Sequence, residues 1–382
     1  MNILHYIPKI TQGELVSDGL LTLVAAMKEV ADVQVVTQRK EAETLLKEQH
    51  PDIFHIHACW SREAARVAKQ AYKEGVAIVI SPHCQLELYI RMREQHICKV
   101  CKTALYQYKM IHRADALQVS TDLERDNLLF LGWNKRCTTV PSSLLNKNVS
   151  YQQMAETMLV FYQKVIDSRY YKLMTAMEKE AVSSLLHVGK EKDMIRNPLT
   201  SNQILNLRDI KPVQWRRIML YADDEYIRNV LDIGISRMQL TIPTIDAASI
   251  DRFQRKKKKS SEPLERKELL NKKSSLQDKL KWETEGVDDV IKTICIMLLN
   301  IKYHIQKRTL SMRHLTEFYE VLRHEDYDDD KLQEVLKYMK LKDLASRLIQ
   351  ILSDTVLLEE GFMPITPLDD KKTHRIKQLI IH

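Results

Sequence analysis

Three features of the sequence predict an α/β protein with a helical second half. Through residues 1 to about 145, short uninterrupted apolar runs alternate with stretches of helical periodicity. Prolines, glycines and capping residues stand between them, where such elements start and stop. Beyond residue 145, apolar residues recur at three- and four-residue spacing, and glycine is reduced to Gly189, Gly234, Gly286 and Gly361.

Taken in order, Asn2 to Ile7 is a first strand, ended by Pro8. A polar loop, Lys9 to Ser17, holds Gly13. Asp18 then caps a helix predicted over Gly19 to Val30. Asp32 to Thr37 is a second strand and Lys40 to His50 a short helix, stopped by Pro51 before the strand Ile53 to His57. Ser61 caps a helix from Arg62 to Glu74, with Gly75 as its C-terminal stop. The run Ala77 to Ile80 reads as a fully buried strand that ends at Pro82 and presents His83 at its C-terminal tip. Tyr106 to His112 is helical and Asp115 to Ser120 a further strand. Thr121 and Glu124 form a capping box for a helix that ends at Gly132, and Thr138 to Val140 is the last strand.

Strands alternating with helices imply right-handed crossovers and a parallel sheet covered on both faces. Short apolar strands without alternation suit that double cover. The expectation is a Rossmann-like N-terminal domain over 1–145. Helical regions over 146–251 and 285–382 follow, joined by a basic polar linker or hairpin over 252–284. No G-x-G-x-x-G follows the first strand, which argues against a dinucleotide redox enzyme. Open α/β sheets bind ligands beyond the carboxyl ends of their strands, so His83 and His57 are the natural site candidates. His55 and His57 share one face of their strand by alternation. The plainer alternatives are a loop histidine bound to backbone and a histidine of the core.

With 382 residues, 44% hydrophobic and 29% charged, the chain has the composition of a globular protein with room for two domains. Its formal charge of +8 is diffuse and suits a phosphate ligand, nucleic acid or an anionic membrane without choosing among them. Six irregularly spaced cysteines, and a start lacking the basic and apolar parts of a signal peptide, point to a cytoplasmic protein with reduced thiols. The most apolar segment, Ile291 to Ile301, contains Lys292 and is too short to span a bilayer. Cys98-Lys-Val-Cys101, near His83, Cys84 and His96, has zinc-knuckle spacing, but no second pair accompanies it, so ordinary thiols and no metal are expected. The run Lys256 to Lys259 reads as a solvated surface or as a contact with anionic membrane at its inner face. No nucleic-acid motif stands out. Asp223-Asp-Glu225 reads as an exposed helix turn.

Four stretches carry a family resemblance. Pro51-Asp-Ile-Phe-His-Ile-His57 with Trp60 resembles a recurring segment of family-four glycosyltransferases, and Ile80-Ser-Pro-His-Cys-Gln-Leu-Glu87 is similar to their "SPHGML-E" loop. His112-Arg-Ala-Asp-Ala-Leu-Gln-Val-Ser120, with Glu124, Asn127 and Leu131-Gly-Trp133, follows their "RADA…S…E…NL…LG" block. Val140-Pro-Ser-Ser-Leu144 stands where they have "IPNG". The resemblance covers about residues 1 to 145. It implies an enzyme with two Rossmann-like domains that transfers a sugar from a nucleotide-sugar to a glycan or lipid-linked acceptor in surface polysaccharide synthesis, retaining and without a metal or other cofactor. It assigns His83 to the reacting sugar, and Gly13, Gly19, His57, Trp60, Glu87, Ser120 and Glu124 to substrate binding. Trp60 reads equally well as packing. Cys84 and Ser142-Ser143 depart from the family's glycine and Asn-Gly.

After Pro141 the marks of a nucleotide-binding domain are missing, because no glycine stands in a phosphate-cradling turn. Helices are predicted over Met154 to Val188, Val213 to Ile235, Val287 to Ile305, His314 to Leu322 and Lys331 to Ile351. Met238 to Pro243 is the one strand candidate. Two readings stay open: a divergent glycosyltransferase, or an inactive relative whose helical half binds a protein partner or the membrane.

Overall fold

The computed structural model describes residues 1–11, 13–87, 89–90, 96–191, 198–253, 259 and 287–381. The chain forms two compact units, Met1–Arg169 with Asp251–Phe253, and Tyr170–Ile250 with Gln254–His382.

Unit 1 is a six-stranded, all-parallel sheet in the order β2-β1-β3-β4-β5-β6. Its strands are β1 (Asn2–Tyr6), β2 (Asp32–Val36), β3 (Ile53–Ile56), β4 (Ala77–Ile80), β5 (Ala116–Val119) and β6 (Cys137–Thr139). The helices between them are α1 (Leu15–Lys28), α2 (Arg39–Glu48), α3 (Arg62–Lys73), α4 (His96–Lys102), α5 (Tyr108–Arg113) and α6 (Asp122–Leu131). A π-helical turn, Thr103–Gln107, joins α4 to α5. The central strands are buried on both faces, which is why they read as unbroken apolar runs. One face packs α2, α3 and α5 through Phe54, Ile56, Ile78 and Ile80, and the other packs α1 through Ile3, Ile53 and Val79.

The boundary expected near residue 145 falls after Arg169. A helix α7 (Tyr151–Asp167) belongs to unit 1, where it lies against α1 and feeds Phe161, Tyr162 and Val165 into the core. Arg169 closes the unit. Its guanidinium donates to the Gly75 carbonyl at 2.7 Å and pairs with Asp115 at 3.3 Å, while Asp115 accepts the Ile78 amide at 3.0 Å. Both partners are buried. Arg169→Leu leaves the Asp115 charge buried and unpaired, so it is expected to cost about 3 kcal/mol in chemical denaturation.

Unit 2, over its described residues, is helical. It comprises α8 (Tyr170–Leu173), α9 (Ala176–Lys190), α10 (Ser201–Arg208), α11 (Pro212–Asp224), α12 (Arg228–Arg237), α13 (Asp289–Lys307), α14 (Met312–His324), α15 (Asp329–Tyr338), α16 (Lys342–Val356) and α17 (Lys371–Ile381). One apolar core runs through it. Several predicted helices are broken. Met154 to Val188 divides at the Thr175 capping box, Val213 to Ile235 at Tyr226, and Lys331 to Ile351 at Lys340. Tyr226 and Lys340 take left-handed backbone. Met238 to Pro243 forms no strand, because no neighbouring strand offers it a ladder. Glu225, taken as an exposed turn, is buried and accepts the Met312 amide at 2.8 Å and the Lys259 ammonium. Most of the linker expected over 252–284 lies outside the described residues. No described helix is long and apolar enough to cross a membrane.

Candidate active site: a histidine chain at the sheet edge

The strand order puts β3 between β1 and β4, and the register pairs His5 with His55. His5 and His55 therefore project from one face, with His57 just beyond the end of β3 and His83 just beyond the end of β4. His57 Nε2 lies 2.8 Å from His5 Nδ1, and its Nδ1 lies 3.2 Å from His83 Nε2. Among the four rings, only His83 is more than marginally exposed. Sequence reasoning brought His57 and His83 together. It missed His5, a solitary histidine inside an apolar strand, whose partners depend on a strand order the sequence does not state.

His55 belongs to the core. The Gln118 amide nitrogen donates to the Val119 carbonyl at 2.9 Å, so the Gln118 oxygen accepts from the Ser81 hydroxyl. Ser81 Oγ in turn accepts from His55 Nε2 at 2.7 Å, which leaves His55 Nδ1 to accept from the Tyr162 hydroxyl at 2.6 Å. One tautomer is thereby fixed. The His83–His57–His5 chain has no such anchor, since His5 Nε2 is buried without a hydrogen-bond partner among the described residues. Its three rings carry three protons, two within the hydrogen bonds and one at an end, and reversing the direction of both bonds leaves the end proton at the opposite terminus.

Burial keeps all four rings neutral. It lowers the pKa of His5 to about 3 and of His83 to about 4, and it holds His55 and His57 well below 6.5 with help from their histidine neighbours. His5, His55 and His57 each offer a nitrogen within 4.8 Å of the others, the one such group among the described residues. They fit zinc or copper by ligand type. Both nitrogens of His55 and His57 are already hydrogen-bonded, however, so a metal would have to displace those bonds. Cys98 and Cys101 are exposed and belong to no such group; the His96 side chain lies outside the described residues.

The loop that carries His83 is held in a strained shape. His83 and Cys84 take φ of 49° and 61°, in the left-handed region that favours glycine. The family's glycine at position 84 would adopt this backbone without strain. Glu124 holds it here: one carboxylate oxygen accepts the Cys84 amide at 2.6 Å and the other accepts the Ser120 amide at 3.3 Å. Burial raises the Glu124 pKa against the lowering effect of these bonds. Through these bonds the Glu124 carboxylate ties the His83 loop to the Ser120 backbone. The Cys84 thiol is pushed up to about 11 by burial and by Glu124 and Glu87, which disfavours its thiolate.

Trp60, also in left-handed backbone, faces the same loop. Its indole N–H donates to the Gln85 carbonyl at 2.9 Å, its amide donates to Gln107 at 2.7 Å, and its carbonyl accepts from Tyr106 at 2.8 Å. Gly13 makes the turn before α1, at a φ of 80°. Gly19 lies inside α1, which begins four residues earlier than predicted; a Cβ there would stand 2.7 Å from Leu144. Its service is packing. No hydrogen bond ties either glycine to the His83 loop among the described residues.

Comparison with models of known protein families, with curated proteins and with solved structures finds no match to this chain.

Proposed function

We propose that unit 1 is a relative of the acceptor-side domain of family-four glycosyltransferases that binds a glycan at the His83 loop without transferring sugar to it, and that the helical unit serves a protein partner. One observation carries the reading. The fold that the N-terminal motifs resemble takes its nucleotide from a second Rossmann-like domain, where glycine-rich turns bring amides to the phosphates. The described residues of 170–250 and 287–381 build helices and their connections instead. Gly189 and Gly234 sit inside α9 and α12, each pressed against a carbonyl of the other helix. Helix crossing, not phosphate binding, accounts for them.

The His83 loop supports the binding half of the proposal. Neutral imidazole and an indole at the end of a sheet supply polar and stacking contacts to an uncharged ligand, and they need no counter-ion. A transferring enzyme is the second reading. The left-handed His83 and Cys84 favour it, since backbone strain gathers at catalytic and ligand-clamping loops.

Calorimetry against a panel of oligosaccharides tests the first reading. Binding is expected, and His83→Ala or Trp60→Ala should weaken it by about tenfold, the worth of one hydrogen bond or ring contact. Trp60→Phe, which keeps the ring plane, should retain more affinity than Trp60→Ala. No binding across the panel by a folded protein, or binding indifferent to all three changes, contradicts it.

A further inference from the structure

On the sheet face opposite the histidines, α3 and α5 enclose a groove of about 450 Å³. Its floor is apolar, made by Ala65, Ala68, Ile78 and Met110. Its two walls are basic. Arg62, Arg66 and Lys69 recur along α3 at the four- and three-residue spacing that sets side chains on one helix face, and Lys109 and Arg113 do the same on α5. Among the described residues no carboxylate lines the groove, and Glu63 and Glu74 of the α3 region are not part of it.

None of the five cations forms an ion pair with a described residue. Arg113 stacks on the exposed ring of Tyr72, its cation 4.8 Å from the ring centre. Other basic side chains of this chain are paired, as Arg217 is with Glu178 at 2.7 Å and Arg347 with Asp370 at 2.8 Å. Five like charges converging on one concavity repel each other, and an arriving polyanion relieves that repulsion.

We propose that this groove is a docking surface for the phosphate headgroups of an anionic lipid membrane. Three observations select a lipid surface over a soluble phosphate. All five cations are exposed along a rim rather than enclosed around a point. The floor is apolar and supplies no buried donor to a single phosphate. Leu105 at the rim and Tyr72 beside it are exposed apolar side chains, of the kind that enter the headgroup layer. The run Lys256 to Lys258, the sequence's other basic feature, lies outside the described residues, and Lys259 is tied to Glu225 and to the Leu379 carbonyl. The proposal does not depend on what the His83 loop binds.

Co-sedimentation of the full chain with vesicles tests it. Phosphatidylcholine vesicles containing phosphatidylglycerol should bind the protein in a salt-sensitive way, and pure phosphatidylcholine should not. Each cation removed should weaken binding about fivefold, so Arg62→Gln/Arg66→Gln/Lys69→Gln should weaken it about a hundredfold. Lys109→Gln/Arg113→Gln should weaken it from the opposite wall, with the thermal melt of both variants unchanged. Lys256→Gln/Lys257→Gln/Lys258→Gln should bind as the parent does. Equal binding to neutral vesicles, or undiminished binding by the groove variants, overturns the proposal. Binding of inorganic pyrophosphate without binding of vesicles overturns the membrane assignment.

Discussion

Gly234→Ala is expected to destabilise the helical unit by about 3 kcal/mol, and Gly189→Ala by a similar amount. A Cβ at Gly234 would stand 2.4 Å from the Leu185 carbonyl oxygen, and one at Gly189 would stand 2.3 Å from the Val230 carbonyl oxygen. The two contacts are reciprocal across α9 and α12, so neither helix has room to retreat without parting from the other. The sign makes the test sharp. At an open helix position, alanine is better than glycine by about 1 kcal/mol. A gain in stability, by denaturant melts of the full chain, would mean that the helices do not cross this closely.

Acid is the second lever. The unfolded chain takes up protons on its histidines near pH 6.5, whereas the folded chain refuses them until about 4 at His83 and about 3 at His5. Between those limits the unfolded state holds more protons, so stability rises with pH; it is fully present above 6.5 and is lost as pH falls through the window. His55 and His57, held well below 6.5, add to the effect in the same direction. Each histidine contributes a slope of up to about 1.4 kcal/mol per pH unit, and because the rings are coupled, the transition belongs to the group. Denaturant midpoints should fall steeply between about pH 6.5 and about pH 4. His5→Gln/His83→Gln should flatten that fall across the whole window. A parent protein equally stable across the window would contradict the neutral, buried histidine chain.

Much of unit 1 was legible in the sequence because its strands are bounded by residues with one meaning. Pro8, Pro51, Pro82 and Pro141 each close or launch a strand within a residue or two of where the ladder stops or starts. Ser61 and Thr121 cap α3 and α6, but the expected capping box stays half-made, because the Glu124 carboxylate takes the Cys84 and Ser120 amides instead of the Thr121 amide. His57 and His83 could be paired in advance because adjacent parallel strands end at the same edge. What the sequence withheld was lateral order. β1 pairs with both β2 and β3, and only that placement sets His5 beside His55.

Chemistry brought together from distant elements was withheld too. Arg62, Arg66 and Lys69 look like the solvated side of an amphipathic helix until α5 supplies the opposite wall. The helical half was legible in kind but not in punctuation. Tyr226 and Lys340 break helices in a left-handed backbone that glycine would normally announce, and a tyrosine or lysine gives no such notice. Glu124 reads as a substrate contact from its neighbours, and its bonds to the Cys84 and Ser120 amides show only once β4 and β5 lie side by side.

The proposed function makes unit 1 a sugar-binding domain, followed in the described residues of unit 2 by helices rather than a nucleotide-binding sheet. Mass-spectrometric product detection on incubation with UDP-, GDP- and dTDP-sugars, with an oligosaccharide that the protein binds as acceptor, tests it most directly. No transfer product and no calorimetric heat from any nucleotide-sugar is the expected result, with glycan binding retained and sensitive to His83. A transfer product that disappears in His83→Ala would contradict the claim and identify a transferase whose donor site lies among helices.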